Sequence, residues 1–173
     1  MMLSSFFMMS AQSYKVRHCA EQIGFITDVP YLPELSGDSL YWSLVKQGKS
    51  VIPCLISNLS NTKQTDVVIP NYGGKNCVGD IAFSILCHII HNIPIKDFIL
   101  KNNRYPSSED MTYMSFVSYR KNNRRFLKRK LREWYSHNQN NLEWVEDTIT
   151  YNTARNWFYP LNHNPAHGYF IAK

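Results

Sequence analysis

The chain has 173 residues, of which 44% are hydrophobic, 14% aromatic and 18% charged. That is enough for one real core, and with only Gly 7 and Pro 8 it excludes collagen-like, low-complexity and wholly disordered chains. The net charge of +6 favours nucleic acid, anionic membrane surfaces or acidic proteins as partners, and no apolar run reaches the roughly 18 residues of a membrane-spanning helix.

Residues 1–12 are an apolar segment, with Ser10-Ala11 before Gln12. They read as the remnant of a secretion signal, an amphipathic anchor or a first packed element, and they favour a periplasmic or secreted protein over a cytoplasmic one. Residues 13–173 read as a single helical domain. A short helix is expected around Lys15–Ile23, followed by an irregular connection through Pro30 and Pro33.

Asp38 has the chemistry of an N-cap, Leu40, Tyr41, Leu44 and Val45 follow at helical spacing, and Gly48 is a C-terminal stop. A second helix is expected from Ser50, with Pro53 in its first turn and apolar positions at Val51, Ile52, Leu55, Ile56 and Leu59. Residues 38–60 thus predict two antiparallel helices. Residues 61–76 are rich in Asn, Thr and Gly, with a short strand at Val67–Ile69 and a turn at Asn71–Gly74.

Val78, Ile81, Ala82, Ile85, Leu86, Ile89 and Ile90 advance by threes and fours, the stripe of a helix packed on a core. Pro94 ends it, and Ile95, Phe98 and Ile99 predict a packed turn. Residues 101–110 read as a loop, residues 111–119 fit helix or strand, and a long helix runs from about Asn122 to His137. The tail from Leu142 reads as irregular, with a short strand at Tyr169–Ala172. The fold class is mainly α, with antiparallel helix pairs, an irregular C-terminal tail and room for one short hairpin.

Gly48-Lys49-Ser50-Val51-Ile52-Pro53-Cys54-Leu55-Ile56, preceded by Tyr41-Trp42-Ser43-Leu44-Val45, resembles a HEAT-type repeat. Val78-Gly79-Asp80-Ile81-Ala82 is similar to the start of a following repeat's helix. Trp134-Tyr135-Ser136-His137-Asn138, with Leu142 and Trp144, is similar to the closing helix of small bacterial HEAT-like proteins, which are often exported. The resemblance spans residues 38–145, interrupted by the insertion at 61–76. It implies stacked helix pairs and a binding scaffold, and it names no reaction.

Eight of the 19 basic residues fall between Arg120 and Arg132. At helical spacing Arg120, Lys121, Arg124, Arg125, Lys128, Arg129 and Arg132 share one half of the cylinder, opposite Phe126, Leu127, Leu131 and Trp134. These seven cations are the expected partner-binding residues. Their mutual repulsion costs roughly 0.2–0.5 kcal/mol per pair, which a negative partner offsets. A solvated face whose long stems cover apolar neighbours is the competing reading. Nucleic acid ranks below an acidic protein because no DNA- or RNA-binding motif accompanies the helix.

Other constellations carry less. His88 and His91 are three apart, a spacing that can bring two imidazoles to one metal, but they also lie on the polar side of an amphipathic helix. His163 and His167 lie in a Pro/Gly loop that no later Asp or Glu follows. Cys77 begins a helix and is the best cysteine nucleophile, whereas Cys54 and Cys87 lie among apolar residues, where thiols are inert. Cys19, Cys54, Cys77 and Cys87 contain no Cys-x-x-Cys pair, so buried thiols are the default and one or two disulfides the alternative.

The expectation is a non-catalytic protein-binding module without metal or cofactor, such as an immunity or inhibitor protein that neutralises a bacterial toxin or effector. A cysteine- or histidine-dependent secreted enzyme or toxin and a nucleic-acid binder are the alternatives.

Overall fold

The computed structural model describes residues 18–30, 37–69, 73–100, 112–120, 122–146 and 168–173. The apolar segment 1–12, Lys121, the 101–110 loop and the His163/His167 loop lie outside the described residues.

The chain is mainly α-helical. Helix α1 covers residues 18–24 and buries Cys19 and Ile23. Helix α2 (Ser39–Lys46) starts at Asp38, whose Oδ1 accepts from the Tyr41 amide at 2.7 Å. The other carboxylate oxygen accepts from the Thr27 amide at 2.6 Å, so one side chain caps α2 and holds the chain leaving α1. Gly48, at φ 56°, then adopts the left-handed conformation that stops a helix.

A 3₁₀ turn (Gly48–Ser50) leads into α3 (Ile52–Asn58). The α-helix therefore begins later than Ser50, with Pro53 in its first turn as expected. A disulfide between Cys19 and Cys54 joins α1 to α3, while Cys77 and Cys87 remain thiols.

Strands β1 (Gln64–Val68) and β2 (Lys75–Cys77) pair antiparallel, so the region read as one short strand and a turn is a hairpin. Helix α4 (Val78–Ile89) follows at once. Its first amides are satisfied by the connection between α3 and β1: Val78 donates to the Lys63 carbonyl and Gly79 to the Asn61 carbonyl, both at 2.9 Å. A Cβ at Gly79 would stand 2.6 Å from the Leu59 carbonyl oxygen, so only glycine allows this approach.

Helix α4 is the hub. Val78, Ile81, Ala82, Ile85, Leu86 and Ile89 are buried, and both α2 and α3 pack chiefly on it rather than on each other. Helix α4 is the longest of the three and brings the longest apolar stripe to the contact, from Val78 to Ile89.

The expected packed turn after Pro94 is a short helix, α5 (Ile95–Leu100). The ambiguous stretch is α6 (Tyr113–Tyr119), capped by the Thr112 hydroxyl, which accepts from the Ser115 amide at 3.1 Å. Helix α7 (Asn123–Asn138) packs on α3 and α6 through Phe126, Leu127 and Leu131.

The start of the tail is a strand, not a loop. β3 (Leu142–Glu146) pairs antiparallel with β4 (Gly168–Ala172) from Leu142↔Ala172 to Glu146↔Gly168. The pair is fastened to the helical body through His91, Asn92 and Lys49, Asn92 exchanging two hydrogen bonds with Ala172 at 2.8 and 2.9 Å. The His91 amide donates to the Phe170 carbonyl at 3.1 Å, and Lys49 Nζ donates to the Leu142 carbonyl at 2.7 Å.

Candidate protein-interaction surface

The cations of α7 divide by their angle around the helix. Arg124 and Lys128 lie next to the apolar stripe and turn toward neighbouring elements. Arg124 Nη1 donates to Asp80 Oδ1 on α4 at 2.7 Å and to the Tyr113 hydroxyl on α6 at 3.1 Å. The Asp80 and Arg124 side chains are only 5% and 14% exposed. Burial is the largest influence and would lower the Arg124 pKa, but the Asp80 hydrogen bond and the charges of its acidic neighbours together outweigh it and hold the guanidinium above its ordinary value.

Lys128 Nζ donates to the Ser57 carbonyl at 2.6 Å and lies 3.4 Å from the Ser60 hydroxyl, closing the end of α3. Burial, then the nearby charge of Arg132, lowers its pKa. These two residues brace the fold, so the binding face expected from the sequence is narrower than seven cations.

Arg125, Arg129 and Arg132 are exposed on α7, and Arg120 is exposed just before it. Arg120 lies over the Tyr119 ring at 5.4 Å. Arg129 lies 5.7 Å from the Phe126 ring centroid and 3.8 Å from Glu133. Glu133 also accepts from Lys130 at 2.8 Å, so one carboxylate serves two cations. Both contacts are solvent-exposed, and such pairs are worth about 0–1 kcal/mol. Arg120, Arg125 and Arg132 have no carboxylate partner among the described residues.

The other chemical candidates are dispersed. His88 is buried, its Nδ1 within 2.8 Å of the Tyr41 hydroxyl and 3.0 Å of the Ser84 carbonyl. The Tyr41 hydroxyl is also 2.8 Å from Ser84 Oγ, and burial pushes the His88 pKa down. His91 turns elsewhere, its ring stacked on Tyr169 at 3.6 Å.

Cys77 is buried at the start of α4, where its amide donates to Asp80 Oδ2 at 3.0 Å. Burial, followed by the Asp80 hydrogen bond and charge, pushes its thiol up to about 11, the reverse of what a nucleophile needs. Among the described residues no group of three or more His, Cys, Asp or Glu side chains is placed to hold a metal.

Asp80 is the residue whose role spacing concealed. It lies on one face with Ser84 and His88, and only the approach of α7 makes it the counter-ion of Arg124. A carboxylate in the first turn of an otherwise apolar helix was the available signal.

No protein-family model matches the chain, and neither the curated proteins nor the solved structures contain a significant match.

Proposed function

We propose that this protein is a non-catalytic binding module on a HEAT-like helical scaffold, and that it grips an acidic protein through the outer cations of α7. The observation that carries this reading is the exposure of Arg125, Arg129 and Arg132 on one face of α7, with Glu133 the only acid paired to them among the described residues and Arg120 exposed at the end of α6. Such a surface speeds association with a negatively charged partner and selects against basic ones. Its concrete form is an immunity or inhibitor protein that neutralises a bacterial toxin or effector. The buried, high-pKa thiol of Cys77 gives no support to cysteine chemistry there. The Cys19–Cys54 disulfide supports a periplasmic or secreted location, because such bonds persist in oxidising compartments.

An acidic protein is favoured over nucleic acid because Glu133 stands between Arg129 and Lys130, where a run of phosphates would be repelled. The test is capture from the native host with the wild-type protein and with a variant reversed at Arg120, Arg125, Arg129 and Arg132 to Glu. The wild type is expected to retain one stoichiometric acidic protein, released by salt, and the variant to lose it while keeping its circular dichroism. Equal capture by both proteins, or steeply salt-dependent retention of DNA or RNA in place of a protein, overturns the reading.

A further inference from the structure

Beside the exposed cations runs a trough. One hollow of about 310 Å³ is lined by Asn122, Arg125, Phe126 and Arg129. A second, of about 650 Å³, shares Phe126 and Arg129 and continues past Lys130, Glu133 and Trp134 to Asn138, with Phe98 of α5 as part of its lining. The shared residues place the two hollows side by side along α7. From Asn122 to Asn138 the helix rises about 24 Å, the reach of roughly seven residues of extended chain.

The trough is chemically graded. At the α5 side Phe98 and Trp134, both only partly buried against the core, supply aromatic surface, with the buried Phe126 beside them. Arg125, Arg129, Lys130 and His137 also line it, with Glu133 as the single acid among the described residues. The contacts of Glu133 to Lys130 and Arg129 are exposed and weak, so an arriving carboxylate can take either cation from it. Glu133 then remains as an acceptor for a peptide N–H.

We propose that this trough receives a short extended acidic segment of the partner protein, with one bulky apolar side chain lodged against Phe98, Phe126 and Trp134 and flanking carboxylates on Arg125, Arg129 and Lys130. This deepens the binding-module reading and rests on it. The aromatic pocket supplies the anchor that concentrates binding energy, and the charges set direction and register. A phosphodiester strand fits less well, since Glu133 faces the path of its backbone.

The test pans a displayed library of random twelve-residue peptides against the intact protein. The expected consensus is Asp or Glu on both sides of one Trp, Phe or Leu. Replacing that apolar residue by Ser in the synthetic peptide is expected to weaken binding about tenfold or more, as is Trp134→Ala. Lys130→Glu, a substitution among the lining cations, provides a second variant that leaves the aromatic packing intact. Acidic peptides without an apolar residue, lost with Arg120→Glu/Arg132→Glu but indifferent to Trp134→Ala and Lys130→Glu, overturn the trough and leave the ridge standing. Selection without acidic enrichment, or equal competition by single-stranded DNA, overturns both.

Discussion

The Asp80 carboxylate on α4 and the Arg124 guanidinium on α7 meet at 2.7 Å, and both are largely buried. This contact couples the central helix to the helix that carries the exposed cations, with Tyr113 of α6 as third partner. Burial, then the Asp80 charge, drives the Tyr113 hydroxyl pKa well above its usual value, so it remains a neutral donor and acceptor there. Removing one ion strands the other. Asp80→Ala and Arg124→Ala are each expected to cost about 3–5 kcal/mol in urea unfolding, while an Asp80→Leu/Arg124→Met pair costs less than either single change. Additive losses below about 1 kcal/mol would show that the contact is not coupled to folding. Charge reversal at Arg124 is therefore a test of stability, and binding tests belong to Arg120, Arg125, Arg129 and Arg132.

His88 makes stability depend on mild acid. Its folded-state pKa lies below the ordinary value near 6.5, because burial beside Tyr41, Trp42 and Ser84 disfavours the charged ring. The unfolded chain thus binds the extra proton first. The stabilisation is complete above about pH 7, declines as the pH falls through about 6.5, and levels off below the folded-state pKa. Urea midpoints between pH 7.5 and 5 should show this decline in the wild type and a shallower one in His88→Gln. Parallel curves for the two proteins would falsify the assignment.

Cys77 should be a slow thiol. A pKa of about 11 leaves roughly a hundredfold less thiolate at pH 8 than the ordinary value of 9.0. Iodoacetamide labelling followed by peptide mass spectrometry is expected to modify Cys77 only after denaturant is added. Rapid labelling of the native protein would contradict the burial and reopen a thiol chemistry.

The Cys19–Cys54 disulfide encloses a separation of 35 residues. Constraining the unfolded chain over such a loop contributes about 3–4 kcal/mol. Dithiothreitol, or a Cys19→Ser/Cys54→Ser variant, should lower the unfolding midpoint and make residues 18–30 the first site of proteolysis. An unchanged midpoint and cleavage pattern would remove the bond from the account of stability.

Periodic apolar spacing made the helices legible. The stripe from Val78 to Ile89 is buried as its threes and fours imply, and the Asp38 cap and Gly48 stop bound α2. The β3 strand was missed because its partner, β4, comes from distant sequence and a lone Leu-Glu-Trp-Val-Glu run has no local hydrogen bonds to announce it. Of the basic face, Arg125, Arg129 and Arg132 stand exposed on their half of α7, whereas Arg120, exposed as well, lies before the helix in extended backbone at the end of α6, where a helical projection does not reach. Arg124 and Lys128 belong to that half on a helical projection, but their acceptors, Asp80 and the Ser57 carbonyl, lie on other elements.

The order of side chains alone determined that α7 would have an oily side and a cationic side, because that property depends only on the rise and turn of one helix. Which cations remain available depends on where the neighbouring helices come to rest. A guanidinium or ammonium at the border of the apolar stripe loses water as α3, α4 and α6 pack, and it must find an acceptor there. Those a further turn of angle away stay hydrated and open to another molecule.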